Sequence, residues 1–459
     1  MQELIAEIEA VVGPQGLVQG DAVRARPATV QGGECQAQAI IRPASTEEVS
    51  RVLRLCHDAR QAVVPYGGGT GLVEGAVAAP TELLLSLERM NRIEEVDMLG
   101  RAMVLQAGVP VQRVQDTAED AGLFFAVDFG ARGTATIGGA ISTNAGGNRV
   151  LRYGMLRDQV LGLEAVMADG TVVSSMQRFI KNNAGYDLKH LFIGSEGTLG
   201  IVTRAVLRLR PMPRSRHTAM LALDDYQHVQ ELLALLDAEL GGTLSGFEVM
   251  WNDFYRFIID GPSGHRPPLG VEHGYYVLVE CLSADPAPTN SRFQAALEAA
   301  MEQELVSDAV IAESRAQQDA LWAIRDDIPT LLQLMAPLLP FDISLNLHEI
   351  DDFVVDVRAR LAQRWPEVSS VAFGHLGDGN LHLVVAIGQD TPERRRQVDD
   401  LVYEAVRERG GSVSAEHGIG KEKLPYLAWS RTAEEVALMR TLKACLDPKG
   451  VLNPGKLLG

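Results

Sequence analysis

Three loops built almost wholly from glycine and other small residues limit the folds open to this 459-residue chain. The first begins with the apolar run Ala62-Val63-Val64-Pro65-Tyr66. It continues as Gly67-Gly68-Gly69-Thr70-Gly71-Leu72, with four glycines in five positions. Glycine reaches positive φ and has no Cβ to block a close approach, so successive backbone N–H groups can converge on an anion. Pyrophosphate is the natural guest of such a loop, and a flexible turn is its plainer reading. The second cluster runs from Gly133 through Thr136-Ile137-Gly138-Gly139 to Ser142-Thr143-Asn144-Ala145-Gly146-Gly147, and the third spans 193–201, including Glu196 and Ile201. Three such loops imply one extended ligand threaded between them. A dinucleotide fingerprint fits poorly, because Leu72 stands where its third glycine belongs, and no Gly-Lys-Ser/Thr follows to make a nucleotide triphosphate loop.

The surrounding pattern predicts two textures. From about residue 37 to 212, short β-rich runs alternate with glycine turns, with strands expected at 62–65, 83–87, 102–107, 162–167 and 201–209. Ser45 and Glu48 have capping-box spacing, and Val49, Val52, Leu53 and Cys56 follow at helical intervals. Pro211 and Pro213 mark a boundary. Beyond it, strands alternate with longer amphipathic helices over 227–240, 290–304 and 392–408. That is the texture of an α+β domain whose helices cover an antiparallel sheet. A chain of this length exceeds one hydrophobic core. The expected division is 1–212, then 213–428, then a terminal segment 429–459 returning to the first domain.

Acidic residues outnumber basic ones 60 to 42, for a net charge of −18, which argues against a nucleic-acid partner. A small anionic substrate therefore needs a local cation. Cys35, Cys56, Cys281 and Cys445 lie far apart and read as reduced thiols of a cytoplasmic protein. Leu4, Ile5, Ile8 and Val11 predict a short amphipathic helix rather than a signal peptide. No apolar run is long enough to span a bilayer, since Gln333, Pro337 and Pro340 interrupt the best candidate. Any membrane association is expected to be peripheral.

The second chemical signal is Gly374-His375-Leu376-Gly377-Asp378-Gly379-Asn380-Leu381-His382-Leu383-Val384. Asp378-Gly379 between alternating arms predicts a two-residue type I′ hairpin. That register sets His375 directly opposite His382, close enough for both imidazoles to bind one cation. Strand parity adds Asn380 and Val384 to the same face. A hydrogen-bonded polar pair in the core is the other reading of two facing histidines. Further on, Glu416 within Ser414-Ala415-Glu416-His417-Gly418 could complete a site with open positions, leaving His417 for proton transfer.

The glycine loops, together with Lys181-Asn182-Asn183-Ala184-Gly185-Tyr186-Asp187-Leu188-Lys189 before the third, closely resemble the vanillyl-alcohol-oxidase (PCMH-type) FAD-binding domain. The resemblance narrows to its D-lactate, glycolate and D-2-hydroxyglutarate dehydrogenase branch, and covers nearly the whole chain. It implies a PCMH-type FAD domain plus a substrate-binding cap domain. FAD pyrophosphate would lie on Pro65 and Gly67 to Leu72, that is Gly67, Gly68, Gly69, Thr70, Gly71 and Leu72. Thr136, Gly139, Ser142, Gly146, Glu196, Ile201 and Asn453 would line the rest. Some members tether the flavin through His or Cys in the first two loops; neither residue occurs there, so non-covalent FAD is expected. The resemblance further implies His375, His382 and Glu416 as ligands of a divalent metal, with Zn favoured over Fe or Mn. It makes His417 the base and Arg325 the grip on the substrate carboxylate.

One departure bears on substrate. D-2-hydroxyglutarate enzymes usually carry Thr, Lys and Asn where this chain has Pro329, Pro340 and Val384. Three polar contacts to a distal carboxylate are thereby lost. A D-lactate-like or longer aliphatic D-2-hydroxy acid is the expected substrate, and D-2-hydroxyglutarate the alternative. The reduced flavin would pass its electrons to a quinone or an electron-transfer flavoprotein, and the expected assembly is a homodimer. Two readings of other classes are a flavin-binding subunit without chemistry and a metal-dependent hydrolase using His417. The metal constellation opposes the first and the glycine loops oppose the second.

Overall fold

The computed structural model describes residues 1–29 and 32–458, and the chain divides into two compact units. The first comprises 1–146, 154–212 and 416–459; the second comprises 147–153 and 213–415. The return to the first unit thus starts at Glu416 rather than at residue 429. The short stretch 147–153 also leaves the first unit. Its arginines explain why: Arg149 Nε lies 3.5 Å from the buried Glu280 carboxylate, and Arg152 donates to the carbonyls of Thr243 and Leu282.

In the first unit a four-stranded sheet holds Ala39–Ile41, Leu83–Ser86 and Val63–Tyr66 in parallel, with Leu17–Val18 antiparallel at one edge. Parallel neighbours need a crossover. Helix Thr46–Ala59 carries the chain from Ala39–Ile41 to Val63–Tyr66 on the far side of Leu83–Ser86, capped as its sequence requires: Ser45 Oγ accepts from Glu48 N, and Glu48 Oε2 accepts from Ala44 N. Val49, Val52, Leu53 and Cys56 all turn inward and are fully buried with Ile41, Val63, Leu83 and Ile201. A second, five-stranded antiparallel sheet is formed by Val172–Ser175, Val160–Val166, Ile201–Arg208, Ala102–Gln106 and Ile93–Asp97 in that order.

The second unit is built on one seven-stranded antiparallel sheet. Its order is Asp308–Ile311, Ser215–Leu223, Tyr275–Ser283, Leu244–Trp251, Ser369–His375, Asn380–Ala386 and Leu338–Ser344. Helices Tyr226–Leu240, Pro286–Glu302, Ile350–Arg364 and Pro392–Glu408 carry the long amphipathic patterns. Met250, Phe254, Tyr255, Trp322, Met335, Phe373 and Val384 share one buried apolar cluster. Three adjacent interior strands of this sheet, Leu244–Trp251, Ser369–His375 and Asn380–Ala386, are nearly all buried, so any charge they carry requires a partner.

Candidate active site

Within the first unit the three glycine loops converge. A Cβ on Gly67 would lie 2.9 Å from Thr136 Oγ1, and one on Gly68 only 2.0 Å from the Thr134 carbonyl, so the first loop packs directly on the second. Thr136 caps helix Ile137–Thr143 by accepting from Gly139 N. The second loop holds the third: Glu196 N donates to Ser142 O at 2.8 Å and Gly194 N to Ile141 O at 3.1 Å. Gly197 closes on Pro65, where a Cβ would come within 2.5 Å of the ring.

The C-terminal tail locks this arrangement. Asn453 Nδ2 donates to Glu196 O and Gly75 O at 2.8 and 3.1 Å, which turns its Oδ1 the other way. That oxygen is buried with no hydrogen-bond partner among the described residues, although a buried acceptor normally has one. Gly71 is the opposite of Gly68, since nothing lies within 4 Å of a Cβ built there. A cradle of close backbone around open space, with an unmet acceptor beside it, is the chemistry a phosphate-bearing, hydroxyl-rich cofactor would satisfy.

Two residues expected at the cofactor also make contacts within the protein. Both carboxylate oxygens of Glu196 accept backbone N–H groups at 2.7 Å, from Ile419 and Gly420. Burial raises this carboxyl and those two donors oppose the rise, so the Glu196 side chain braces the segment after His417. The side chain of Ile201 is buried in the aliphatic core.

In the second unit the hairpin forms, but not in the expected register. Phe373, not His375, stands opposite His382. Only Gly379 takes positive φ, at 78°, while Leu376–Asp378 makes a 3-10 turn. A type I′ turn needs positive φ at both central residues, and Asp378 does not supply it. The longer turn makes the two histidines diagonal neighbours on one face, still within reach of long side chains. Their rings meet edge-on with centroids 5.3 Å apart, and their nearest ligand atoms lie within 4.8 Å.

His375 is held by a buried acid and His382 faces another, and neither acid lies in the motifs above. His375 stands opposite Glu248, and its Nδ1 is 2.7 Å from Glu248 Oε1. Such a bond fixes the ring and presents the Nε2 lone pair, the usual arrangement for a metal-ligating histidine. His382 stands opposite Asp342, with Nδ1 3.8 Å from Oδ1. Both acids were detectable in principle: each is the lone charge in a mostly apolar strand, Leu244–Trp251 or Leu338–Ser344.

Arg325, at the end of helix Arg315–Arg325, donates Nε to Glu248 Oε2 at 2.9 Å and lies over the Phe373 ring. Burial alone would raise the Glu248 carboxyl, but His375 and Arg325 outweigh it and hold the group below the usual carboxylate range. Asn380 is turned to Asp342 and the Ile343 carbonyl, to which its Nδ2 donates at 2.9 and 3.2 Å. Val384 lies opposite Pro340 on one side and Val371 on the other, inside the apolar cluster.

Ala415 ends the second unit with its N–H 3.2 Å from Asp342 Oδ2 and 3.3 Å from the Asp342 carbonyl. Glu416 and His417, both half-buried, are the next residues of the chain. The peptide that carries them therefore departs from the carboxylate facing His382.

Residues 37–175 match the FAD binding domain family, and residues 212–457 match FAD linked oxidases, C-terminal domain. A D-2-hydroxyglutarate dehydrogenase of Xanthomonas citri pv. viticola is 42% identical over 424 residues, covering 91% of this chain and 89% of its own. The mitochondrial D-2-hydroxyglutarate dehydrogenase of Arabidopsis thaliana is 40% identical over 416 residues, covering 91% and 74%. A putative mitochondrial D-lactate dehydrogenase of Schizosaccharomyces pombe is 36% identical over 430 residues, covering 92% and 82%. Among solved structures, alkyldihydroxyacetonephosphate synthase superposes with a TM-score of 0.78 at 18% identity, covering 100% of this chain and 86% of that one. Substrate-bound p-cresol methylhydroxylase gives 0.77 at 14% identity, covering 99% and 96%. These two similarities concern the fold alone.

Proposed function

The chain belongs to the FAD-linked oxidases that include D-2-hydroxyglutarate and D-lactate dehydrogenases, and we propose that it oxidises an aliphatic D-2-hydroxy acid to the 2-oxo acid with the help of a divalent metal. FAD binding follows from the matched domains. The absence of His and Cys from the first two glycine loops favours a non-covalent flavin. When bound, FAD would supply a hydride acceptor and a divalent metal would lower the pKa of the substrate hydroxyl.

The residues of the chain do the remaining work. His375, His382 and Glu416 are the proposed metal ligands; two imidazoles and a carboxylate suit Zn, with Fe or Mn as alternatives. Arg325 keeps its Nη groups unbonded among the described residues and presents them to the substrate carboxylate, which a guanidinium recognises in a planar fork. His417 accepts the hydroxyl proton, a task suited to imidazole near neutral pH. An external quinone or electron-transfer flavoprotein is the proposed electron acceptor.

The observation that carries the substrate assignment is the pairing of Val384 with Pro340 beside His382. Neither Val384 nor Pro340 offers a side-chain donor for a second carboxylate, and burying an unpartnered polar group costs about 1 to 3 kcal/mol. The names of the Arabidopsis and Xanthomonas relatives favour the second reading, D-2-hydroxyglutarate. Comparing kcat/KM for D-lactate, D-2-hydroxyisocaproate and D-2-hydroxyglutarate decides between them. A clear preference for the diacid overturns the aliphatic assignment. A yellow protein that no 2-hydroxy acid bleaches would instead identify a flavin subunit without chemistry.

A further inference from the structure

We infer that Glu248 is a positioning residue that sets the metal ligand His375 and the substrate-gripping Arg325 in one fixed relation. The inference rests on the metal-assisted reading above. Glu248 is 1% exposed on the central strand Leu244–Trp251, and it spends one oxygen on each partner: Oε1 on His375 Nδ1 at 2.7 Å, Oε2 on Arg325 Nε at 2.9 Å. A single rigid carboxylate thus spans a proposed metal ligand and the proposed grip on the substrate carboxylate, two groups that would act on adjacent carbons of a 2-hydroxy acid.

Three features make this more than a buried ion pair. Arg325 is 4% exposed and is further pinned against the Phe373 ring, its Cζ 4.8 Å from the centroid, so its direction is set from two sides. Phe373 itself stands opposite His382, which places the arginine's platform in the same cross-strand row as the second histidine. The Nη groups of Arg325 make no hydrogen bond among the described residues, yet neither is a sealed, unpartnered atom. Glu248 therefore neutralises the guanidinium while leaving its outer edge for an anion. The same carboxylate fixes the His375 tautomer, because an Nδ1–H donor puts the lone pair on Nε2.

The chemistry of the side chain makes the assignment testable. A carboxylate accepts at both oxygens, whereas glutamine accepts at one and donates from the other end. Glu248→Gln must set a donor against either His375 Nδ1–H or Arg325 Nε–H. Glu248→Asp keeps two acceptors on a shorter arm.

The experiment uses FAD-loaded full-length protein, with Zn affinity measured by chelator competition and KM and kcat for D-lactate measured at saturating Zn. Glu248→Gln is expected to weaken Zn binding roughly 10- to 100-fold, the usual effect of removing a partner of a ligating histidine. It should also raise KM at least about fivefold at saturating Zn with a smaller change in kcat, the pattern of lost substrate binding. Glu248→Asp should recover part of both, and it carries the test alone if the glutamine variant does not fold. Zn affinity and KM both within twofold of wild type in the folded variants would overturn the inference. Wild-type turnover that survives complete metal removal would sink the metal-assisted reading itself, so the two failures are distinct.

Discussion

Asp342 faces His382 across neighbouring strands and, with its other oxygen, accepts the N–H of Ala415, the residue before Glu416. One fully buried acid thereby touches both the hairpin and the peptide that leads to the proposed third ligand. Asp342→Asn keeps the shape but loses the charge, and its amide turns a donor toward either Asn380 Nδ2 or Ala415 N. Metal affinity should fall about 10- to 100-fold while flavin content is retained. Equilibrium dialysis against Zn checks this; unchanged affinity would show that Asp342 has no part in the site.

Removing the metal should separate the two halves of the chemistry. The glycine cradle and the histidine pair are carried by different units, so chelation is expected to abolish turnover while the protein stays yellow. His382→Ala should do the same and resist rescue by added Zn. Flavin absorbance and D-lactate-dependent bleaching, followed before and after chelation, test both. Full turnover by metal-free protein would remove the metal from the reaction.

Much of this architecture was legible in the sequence, for identifiable reasons. Helix Thr46–Ala59 follows from Ser45, Glu48 and the spacing of Val49, Val52, Leu53 and Cys56, all local signals. The glycine loops likewise announce close backbone contact, and Gly68 confirms it. The hairpin register was missed because Asp378-Gly379 is compatible with more than one turn, and only the sheet around it selects the 3-10 form. Glu248 and Asp342 depend on strands remote in sequence, so their partners are tertiary facts. What the sequence does contain is a single acid in each of two apolar strands, which by itself requires a buried partner.

Gly68 and Gly71 offer a matched test of the cradle. Gly68→Ala forces a Cβ against the Thr134 carbonyl, an overpacking that typically costs about 1 to 3 kcal/mol, and should lower both the melting temperature and FAD content. Gly71→Ala meets nothing in the protein, so apoprotein stability should hold while FAD affinity falls. Thermal melts of apoprotein and flavin titrations check the pair. A Gly71→Ala variant with wild-type FAD affinity would place the cofactor elsewhere.

Asp356 gives a pH signature independent of the site. Its carboxylate accepts from Arg360 Nε at 2.8 Å and Arg409 Nη2 at 3.0 Å, tying helix Ile350–Arg364 to the end of helix Pro392–Glu408. Burial would raise the group, but the two arginines prevail and hold it below its ordinary value of 3.8. A depressed native value stabilises the fold above the ordinary value, and this contribution is lost as pH falls through the native one. Asp356→Asn should therefore melt earlier at neutral pH, by no more than about 1 kcal/mol for so exposed a pair. The difference should shrink as pH falls below 4. A difference that grows on acidification would reverse the assignment.

The apolar wall at Val384 makes the substrate choice a matter of one strand pair. Val384 and Pro340 stand opposite each other, two residues along their strands from His382 and Asp342, so polar side chains there would share the face of the proposed metal ligand His382. Val384→Asn introduces a donor that a distal carboxylate satisfies but an aliphatic tail does not. The unpartnered amide costs about 1 to 3 kcal/mol with an aliphatic substrate bound, so kcat/KM for D-2-hydroxyisocaproate should drop about tenfold. For D-2-hydroxyglutarate it should rise, and Pro340→Lys should add to the rise by supplying a cation. Because Val384 belongs to the buried cluster around Phe373, the variants must first be shown folded by flavin content and melting temperature. Equal losses on both substrates in folded protein would mean that this wall does not face the substrate tail.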